Sequence, residues 1–157
     1  MCDTALLDFR VMYDSELCDV VDLLNDDNFG AHRETPSQGG TVADSYAQAY
    51  AKIKQNPLSD VHVLVLNNEV IGCAQLTVMP TLALCGTSRA EVEGVRIKSN
   101  YRGAGYGRYM FEHIRQQAKN SGATLLQLTT NVKREGSIKF YQKFGFSISH
   151  LGCKMEI

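Results

Sequence analysis

Apolar positions along the chain follow two rhythms, and the changes of rhythm mark out the elements. Phe9-Arg10-Val11-Met12 reads as a first short strand. Leu17, Val20, Val21 and Leu24 then recur at helical spacing, behind Asp14 or Ser15 as the cap. Residues 25–40 are polar and carry Gly30, Pro36, Gly39 and Gly40, which predicts a loop long enough to be functional. A second helix is expected from residue 41 to about 55, ended by Asn56-Pro57. A hairpin follows, with strands over 61–66 and 70–78 joined across Asn67-Asn68-Glu69. Residues 79–88 form a connection and 89–97 another alternating strand. An amphipathic helix over 105–120 places Tyr109, Met110, His113 and Ile114 along one side and closes at Ser121-Gly122. Residues 124–129 read as a strand and 134–144 as a helix stopped by Gly145. Residues 146–157 are expected to supply one or two last strands. This order implies a mixed sheet covered by helices, in one α/β domain spanning 1–157.

Composition narrows the classes. A chain of 157 residues, 44% hydrophobic and 21% charged, suits one folded core and argues against disorder. The formal net charge of −1 gives no global field for nucleic acid or a membrane surface, so neither is an expected partner. A polyanionic ligand must therefore be caught locally. No stretch approaches membrane-spanning length, and MCDTALLDFR at the start lacks a basic region followed by an apolar run. A cytoplasmic protein is expected. The cysteines (Cys2, Cys18, Cys73, Cys85, Cys153) are odd in number and form no C-x-x-C, which suggests small residues in a reduced interior. His32, His62, His113 and His150 are too scattered for a metal cluster, and no metal is expected.

The local anion trap is Arg102-Gly103-Ala104-Gly105-Tyr106-Gly107, between a strand and a helix. Its glycines let the backbone approach a ligand and adopt positive φ. Unpaired amides of the helix's first turn, with the helix dipole, favour a diphosphate. Arg102 and Arg108 are positioned to add charge-assisted hydrogen bonds. A dinucleotide-binding turn would sit in a first βαβ unit with an acidic residue about 20 positions on. Here the loop comes two-thirds along the chain, position 127 is Gln, and the lysine and hydroxyl of a P-loop are missing.

Downstream stands Asn131-Val-Lys-Arg-Glu-Gly-Ser-Ile-Lys-Phe-Tyr141-Gln-Lys-Phe-Gly-Phe146. Phe140 and Phe144 are i,i+4 and read as core, while Tyr141 lies on a neighbouring face. Together the two stretches resemble the GNAT superfamily of acetyltransferases, over roughly residue 89 to the C-terminus. Arg102, Gly105 and Gly107 match that family's Arg/Gln-x-x-Gly-x-Gly/Ala signature. Phe140, Tyr141, Gly145 and Phe146 match its Phe-Tyr-x-x-x-Gly-Phe signature. Within it, Leu128-Thr-Thr-Asn-Val-Lys-Arg, Phe140-Tyr141 and Ser149-His150 look most like the aminoalkylphosphonate N-acetyltransferases.

The resemblance implies a mostly antiparallel sheet and acetyl-CoA as co-substrate. It implies that backbone groups of a splayed strand at Val95, Arg96 and Ile97 meet the pantetheine arm. The amides of Gly103, Ala104, Gly105, Tyr106, Gly107 and Arg108 would hold the diphosphate. Where this sequence has Arg134 the family often has a cofactor-contacting Asn, so Asn131 or Ser137 stands as an alternative contact. Lys133 and Arg134 are candidates for the ribose phosphate, while Lys139 and Lys143 read as a solvated face.

Acyl transfer to an amine needs a base for an ammonium with a pKa of about 10, and a proton for the departing thiolate. Glu91 and Glu93 share a strand face, being i,i+2. Glu91 stands eleven residues before Arg102, where the resemblance places a glutamate base; Glu93 is the second choice. Tyr141 matches the family's proton donor. The implied mechanism is direct attack on the thioester, with the carbonyl polarised by a strand amide. His32 and Arg33 in the early loop, and His150, are candidates to face the acceptor, whereas His113 reads as packing. The acceptor is expected to be a primary amine: a small aminophosphonate, a polyamine- or amino-acid-like molecule, or a protein amine. The resemblance also allows a homodimer. The competing reading is a non-catalytic acyl-CoA sensor or interaction module of the same fold.

Overall fold

The structure is a computed structural model and describes residues 7–27 and 33–157. Cys2 and His32 lie outside the described residues. Five strands take the order β1-β2-β3-β4-β5, with β1 Leu7–Val11, β2 Ser59–Leu66, β3 Glu69–Met79, β4 Ser88–Ile97 and β5 Ala123–Leu128. The first four pair antiparallel and β5 runs parallel to β4. The sheet is thus mixed and mostly antiparallel. Its helices are α1 (Leu17–Asn25), α2 (Asp44–Gln55), a four-residue turn α3 (Ala83–Gly86), α4 (Tyr106–Asn120) and α5 (Glu135–Phe144).

Local chemistry explains the joints. The β2–β3 turn is only Asn67-Asn68, with φ of 50° and 65°, a left-handed pair that asparagine tolerates. Glu69 therefore belongs to the strand. Gly145 ends α5 at φ 116°. Helix α2 begins at Asp44 because Gln38 and Thr41 close a small bridge of their own.

Side chains sort onto the two faces of the sheet by the alternation of the strands. One face carries Leu64, Leu66, Ile71, Leu76, Ala90 and Val92 under Met110, Phe111 and Ile114 of α4. The other carries Val61, Val63, Val65 and Cys73 against Met12 and against Val20 and Leu23 of α1. Phe111 is fully buried and lies edge-on to Phe140, Tyr141, Phe144 and Phe146, with ring centroids 5.4–6.0 Å away. That cluster docks α5 onto α4 and so fixes where Tyr141 sits.

One expectation fails. Residues 146–157 form no strand; 147–157 are exposed and pair with no described strand. A strand exists only by pairing, and this segment leaves the body of the chain after Phe146 without meeting a sheet edge.

His62 is buried, stacks on Phe9 with centroids 5.2 Å apart, and has no partner for Nδ1 among the described residues. Burial pushes its pKa below the ordinary 6.5, partly offset by Asp60. The unfolded chain then binds a proton that the folded chain resists. Stability should be full above pH 6.5 and fall as pH drops through the window below it, toward the lowered folded value. Unfolding in urea at stepped pH checks this, and His62→Gln should lose that slope. Phe111→Ala should cost about 3–5 kcal/mol by the same assay, since it empties the centre of the aromatic cluster.

Candidate active site

Strand β4 pairs with β5 only from Ser88 opposite Ala123 to Val92 opposite Leu128. Beyond Val92, residues 93–97 keep β3 as neighbour but have none on the β5 side among the described residues. The register with β3 also slips between Cys73 and Gln75, where Gly94 adopts φ +60°. A side chain at Gly94 would meet Leu24 of α1 at 3.3 Å, so a glycine suits both backbone and space here. The bulge and the parting of β4 from β5 open a slot edged by Val95, Arg96 and Ile97.

The glycine loop stands at the end of the same strand. Gly103 and Gly105 have φ of 78° and 94°, and Gly105 is the N-cap of α4. The first-turn amides of Tyr106, Gly107 and Arg108 have no acceptor within the helix. Gly107 faces Phe140, whose ring would lie 3.6 Å from an added Cβ. The two sequence constellations therefore touch. Beside them is a cleft of about 740 Å³, lined by Asp26, Asp27, Ser99, Arg102, and residues 133–137. Lys133, Arg134 and Ser137 are thus brought together there. Asn131 is exposed and its Oδ1 accepts from the amide of Lys133 at 2.9 Å.

The arginines are not free anion ligands. Arg102 donates from Nε to the Ile97 carbonyl at 2.7 Å, also bonds the Asp26 carbonyl, and lies 3.5 Å from the Asp26 carboxylate. Arg108 pairs with Glu112 at 3.7 Å. Arg134 meets both Asp27 oxygens at 3.0 Å. Arg96 Nε lies 2.8 Å from Asp27 but out of line for a hydrogen bond, so the contact is one of charge. Burial and the neighbouring Arg134 hold the Arg96 guanidinium below its usual pKa, while Asp27 offsets them; Arg33 is within the same field. Asp26 also accepts from the Ser99 amide at 2.6 Å. The end of α1 is thereby tied to both walls of the slot. Sequence reasoning missed this pair, although two carboxylates at a helix C-terminus oppose its dipole and so signalled a tertiary task.

Tyr141 packs its ring against Phe111, Phe140 and Phe146, and its hydroxyl makes no hydrogen bond among the described residues. Burial raises its pKa above 10, while Arg96 and Arg134 act to lower it. The phenol is protonated at neutral pH.

Glu91 and Glu93 share the sheet face that looks toward α1 and α2, opposite to buried Ala90 and Val92. The register aligns Ser59, Thr77, Glu91 and Gln127 as one polar row across four strands. Ser59 and Thr77 hydroxyls are 2.7 Å apart, and Gln75 donates to Ser59 at 3.2 Å. Gln127 donates to Glu91 Oε2 at 2.6 Å. Glu93, facing Gln75 in the next row, is exposed and makes no such bond among the described residues. Gln75 and Thr77 went unnoticed in the sequence, and Gln127 was read only as a missing acidic residue; polar residues at alternate positions of otherwise apolar strands were the available signal.

Other candidates lie elsewhere. His113 bonds the Tyr109 carbonyl through Nδ1 at 2.9 Å and packs on Tyr109. His150 is exposed on the C-terminal segment, bonded to Ser149. Lys139 and Lys143 are exposed. Burial pushes the Cys73 thiol up to about 12, so it is no nucleophile at neutral pH.

Comparison with known proteins agrees with this geometry. The chain is 25% identical over 157 residues to glucosamine 6-phosphate N-acetyltransferase of Trypanosoma brucei brucei, covering all of both chains. It is 24% identical over 106 residues to aminoalkylphosphonate N-acetyltransferase of Salmonella typhimurium, 68% of each chain. Its fold matches a crystal structure from Bacillus halodurans C-125, described as a transcriptional regulator, with TM-score 0.91, 34% identity, and 96% and 99% of the two chains covered. The sequence profile of the Acetyltransferase (GNAT) family matches residues 19–146. That span takes in the parted strands, the glycine-capped helix and Tyr141, and the chain belongs to the acetyltransferase (GNAT) family.

Proposed function

We propose that this chain is a single-domain, acetyl-CoA-dependent N-acetyltransferase acting on a small primary amine in the cytoplasm. The parting of β4 from β5 next to the glycine-capped start of α4, with a half-buried, protonated Tyr141 near Arg96 of β4, carries the reading most. Acetyl-CoA is the co-substrate, with its diphosphate held by amides of residues 103–108 and its pantetheine along Val95, Arg96 and Ile97. The relatives' names, N-acetyltransferases of an amino sugar phosphate and of aminoalkylphosphonates, support an amine acceptor. Both of those acceptors carry a phosphorus oxyanion, and Arg33, Arg96 and Arg134 gather beside the slot with Asp27 among them. An amine bearing an anionic group is therefore favoured. All four described cysteines are free thiols, which suits a reducing compartment.

The chemistry runs as one displacement. Glu91 accepts a proton from the ammonium, Glu93 being the second choice of base. The amine nitrogen attacks the thioester carbonyl, and a β4 amide stabilises the oxyanion. Collapse breaks the C–S bond and the thiolate takes the Tyr141 proton. The nitrogen's second proton passes to the tyrosinate and restores Tyr141; amide and CoA thiol leave, and Glu91 returns its proton to solvent. The Gln127 amide donates to the Glu91 carboxylate and restricts it, which favours Glu91 over Glu93, which has no such bond among the described residues.

A second reading is a non-catalytic acyl-CoA-binding regulator, favoured by the description of the Bacillus halodurans structure. Calorimetric titration with acetyl-CoA, followed by thiol release with a panel of amines, separates the two. Binding and turnover are expected, with aminoalkylphosphonates and amino sugar phosphates foremost. Binding without thiol release from any amine supports the regulator; no binding removes both. Tyr141→Phe should lower kcat about 100-fold while acetyl-CoA affinity changes by less than about 3-fold. An unchanged kcat removes Tyr141 from the chemistry. Gln127→Leu should lower kcat about 10-fold and leave the KM for acetyl-CoA in place, since it touches only the base. A loss equal in Glu93→Gln and absent in Glu91→Gln would reassign the base.

A further inference from the structure

Arg89 is a cation without an acid. Arg10, Arg96, Arg102, Arg108, Arg115 and Arg134 each stand 2.6–3.7 Å from a carboxylate. Arg89 has no ion pair and no side-chain hydrogen bond among the described residues, and its Nε is shut off from solvent. Leaving a buried charged donor unpaired costs stability, so such a group needs a reason to persist. Reserving it for a ligand is one.

Its place in the sheet supplies that reason. Arg89 precedes Glu91 by two residues on β4 and shares its face. Its neighbours across the sheet are Met79 of β3 and Leu125 of β5, and the next row holds Thr77, Glu91 and Gln127. An apolar row centred on a cation thus lies beside a polar row centred on the proposed base, the two about 6.7 Å apart. Leu125 is 43% exposed, so the face is open at this rim. Apolar neighbours lower the local dielectric and strengthen the pull of Arg89 on an anion.

We propose that Arg89 receives the anionic head of the acceptor while Glu91 takes the proton of its ammonium, the acceptor lying along β4 across one rung of the sheet. This rests on the N-acetyltransferase reading above. The spacing selects a substrate class: a primary amine joined to a phosphonate or phosphate by two or three carbons, its nitrogen and phosphorus about 4–5 Å apart. The planar guanidinium can hold two oxygens of such a group at once. A diamine would bring a second cation against Arg89 and is disfavoured. Arg96 and Arg134 suit the task less, because Asp27 already holds both.

Two readouts on the full chain test this. Magnetic resonance of the arginine Nε–H groups during titration with ethylphosphonate, which has no amine, reads the anion site without turnover. The Arg89 signal is expected to shift saturably. A shift at Arg96 or Arg134 with Arg89 unmoved, or no binding at all, overturns the proposal. In the second readout, kcat/KM for 3-aminopropylphosphonate relative to butylamine should fall at least about 30-fold in Arg89→Met, mostly through KM. Arg89→Lys, which keeps the charge and loses the fork, should recover part of that ratio. An unchanged ratio, with both amines slowed alike, marks Arg89 as structural and overturns the proposal. The wild-type titration and Arg89→Lys keep the test independent of whether Arg89→Met folds. Phosphonate bound at Arg89 with no amine turned over supports the anion site and overturns only the enzyme reading; turnover without binding at Arg89 does the reverse.

Discussion

Strand β4 has two neighbours at its start and one at its end, and the rest of the site depends on that change. A parallel pair that continued to Ile97 would bury the backbone of residues 93–97 in ladder bonds and leave nothing to offer a ligand. Instead the pairing with β5 stops at Val92, and the bulge at Gly94 turns the strand away. Backbone groups at a sheet interior are costly to leave unpaired. A slot of this kind is stable when a ligand, or water, takes the place of the missing strand. The glycine-capped start of α4 follows the end of β4, Gly107 lies against Phe140, and Tyr141 lies within the field of Arg96 on that strand.

Two packing systems hold that opening at a fixed width. On the α4 side the interaction is apolar: Phe111 gathers four aromatic rings and sets the position of α5. On the α1 side it is ionic. Asp26 holds Ser99 and Arg102, and Asp27 holds Arg96 and Arg134, the last three side chains at Asp27 being only 9–19% exposed. Partly buried charges of this kind stabilise little in total but are costly to break singly, because the partner left behind is desolvated. They specify geometry more than they add stability. They also tie the end of α1 to β4 and to the start of α5.

The polar row Ser59–Thr77–Glu91–Gln127 gives the opposite sheet face a separate character. The central strands β2, β3 and β4 are largely apolar, so a polar row that crosses them and reaches β5 is a local exception to burial of carbon. Ser59 and Thr77 pair through their hydroxyls, and Gln127 at the end of the row donates to Glu91. Both faces carry an apolar core, and the polar row interrupts the one that looks toward α1 and α2.

By itself the sequence determined the elements whose signals are local. Alternation marked β2, β3, β4 and β5, helical spacing marked α1 and α4, and the glycines of residues 103–107 marked a backbone that needs positive φ. The spacing of Phe140, Tyr141, Gly145 and Phe146 was enough to tie that loop to an acetyltransferase resemblance. What depends on distant pairing was decided by tertiary structure alone. Where β4 leaves β5 is a property of two strands separated by a helix, and no period in either one records it. The engagement of Arg102 and Arg134 by Asp26 and Asp27 joins residues 76 and 107 positions apart. The C-terminal segment shows the limit most clearly. Its alternation is that of a strand, but alternation marks only a face that could be buried, and no described strand pairs with it.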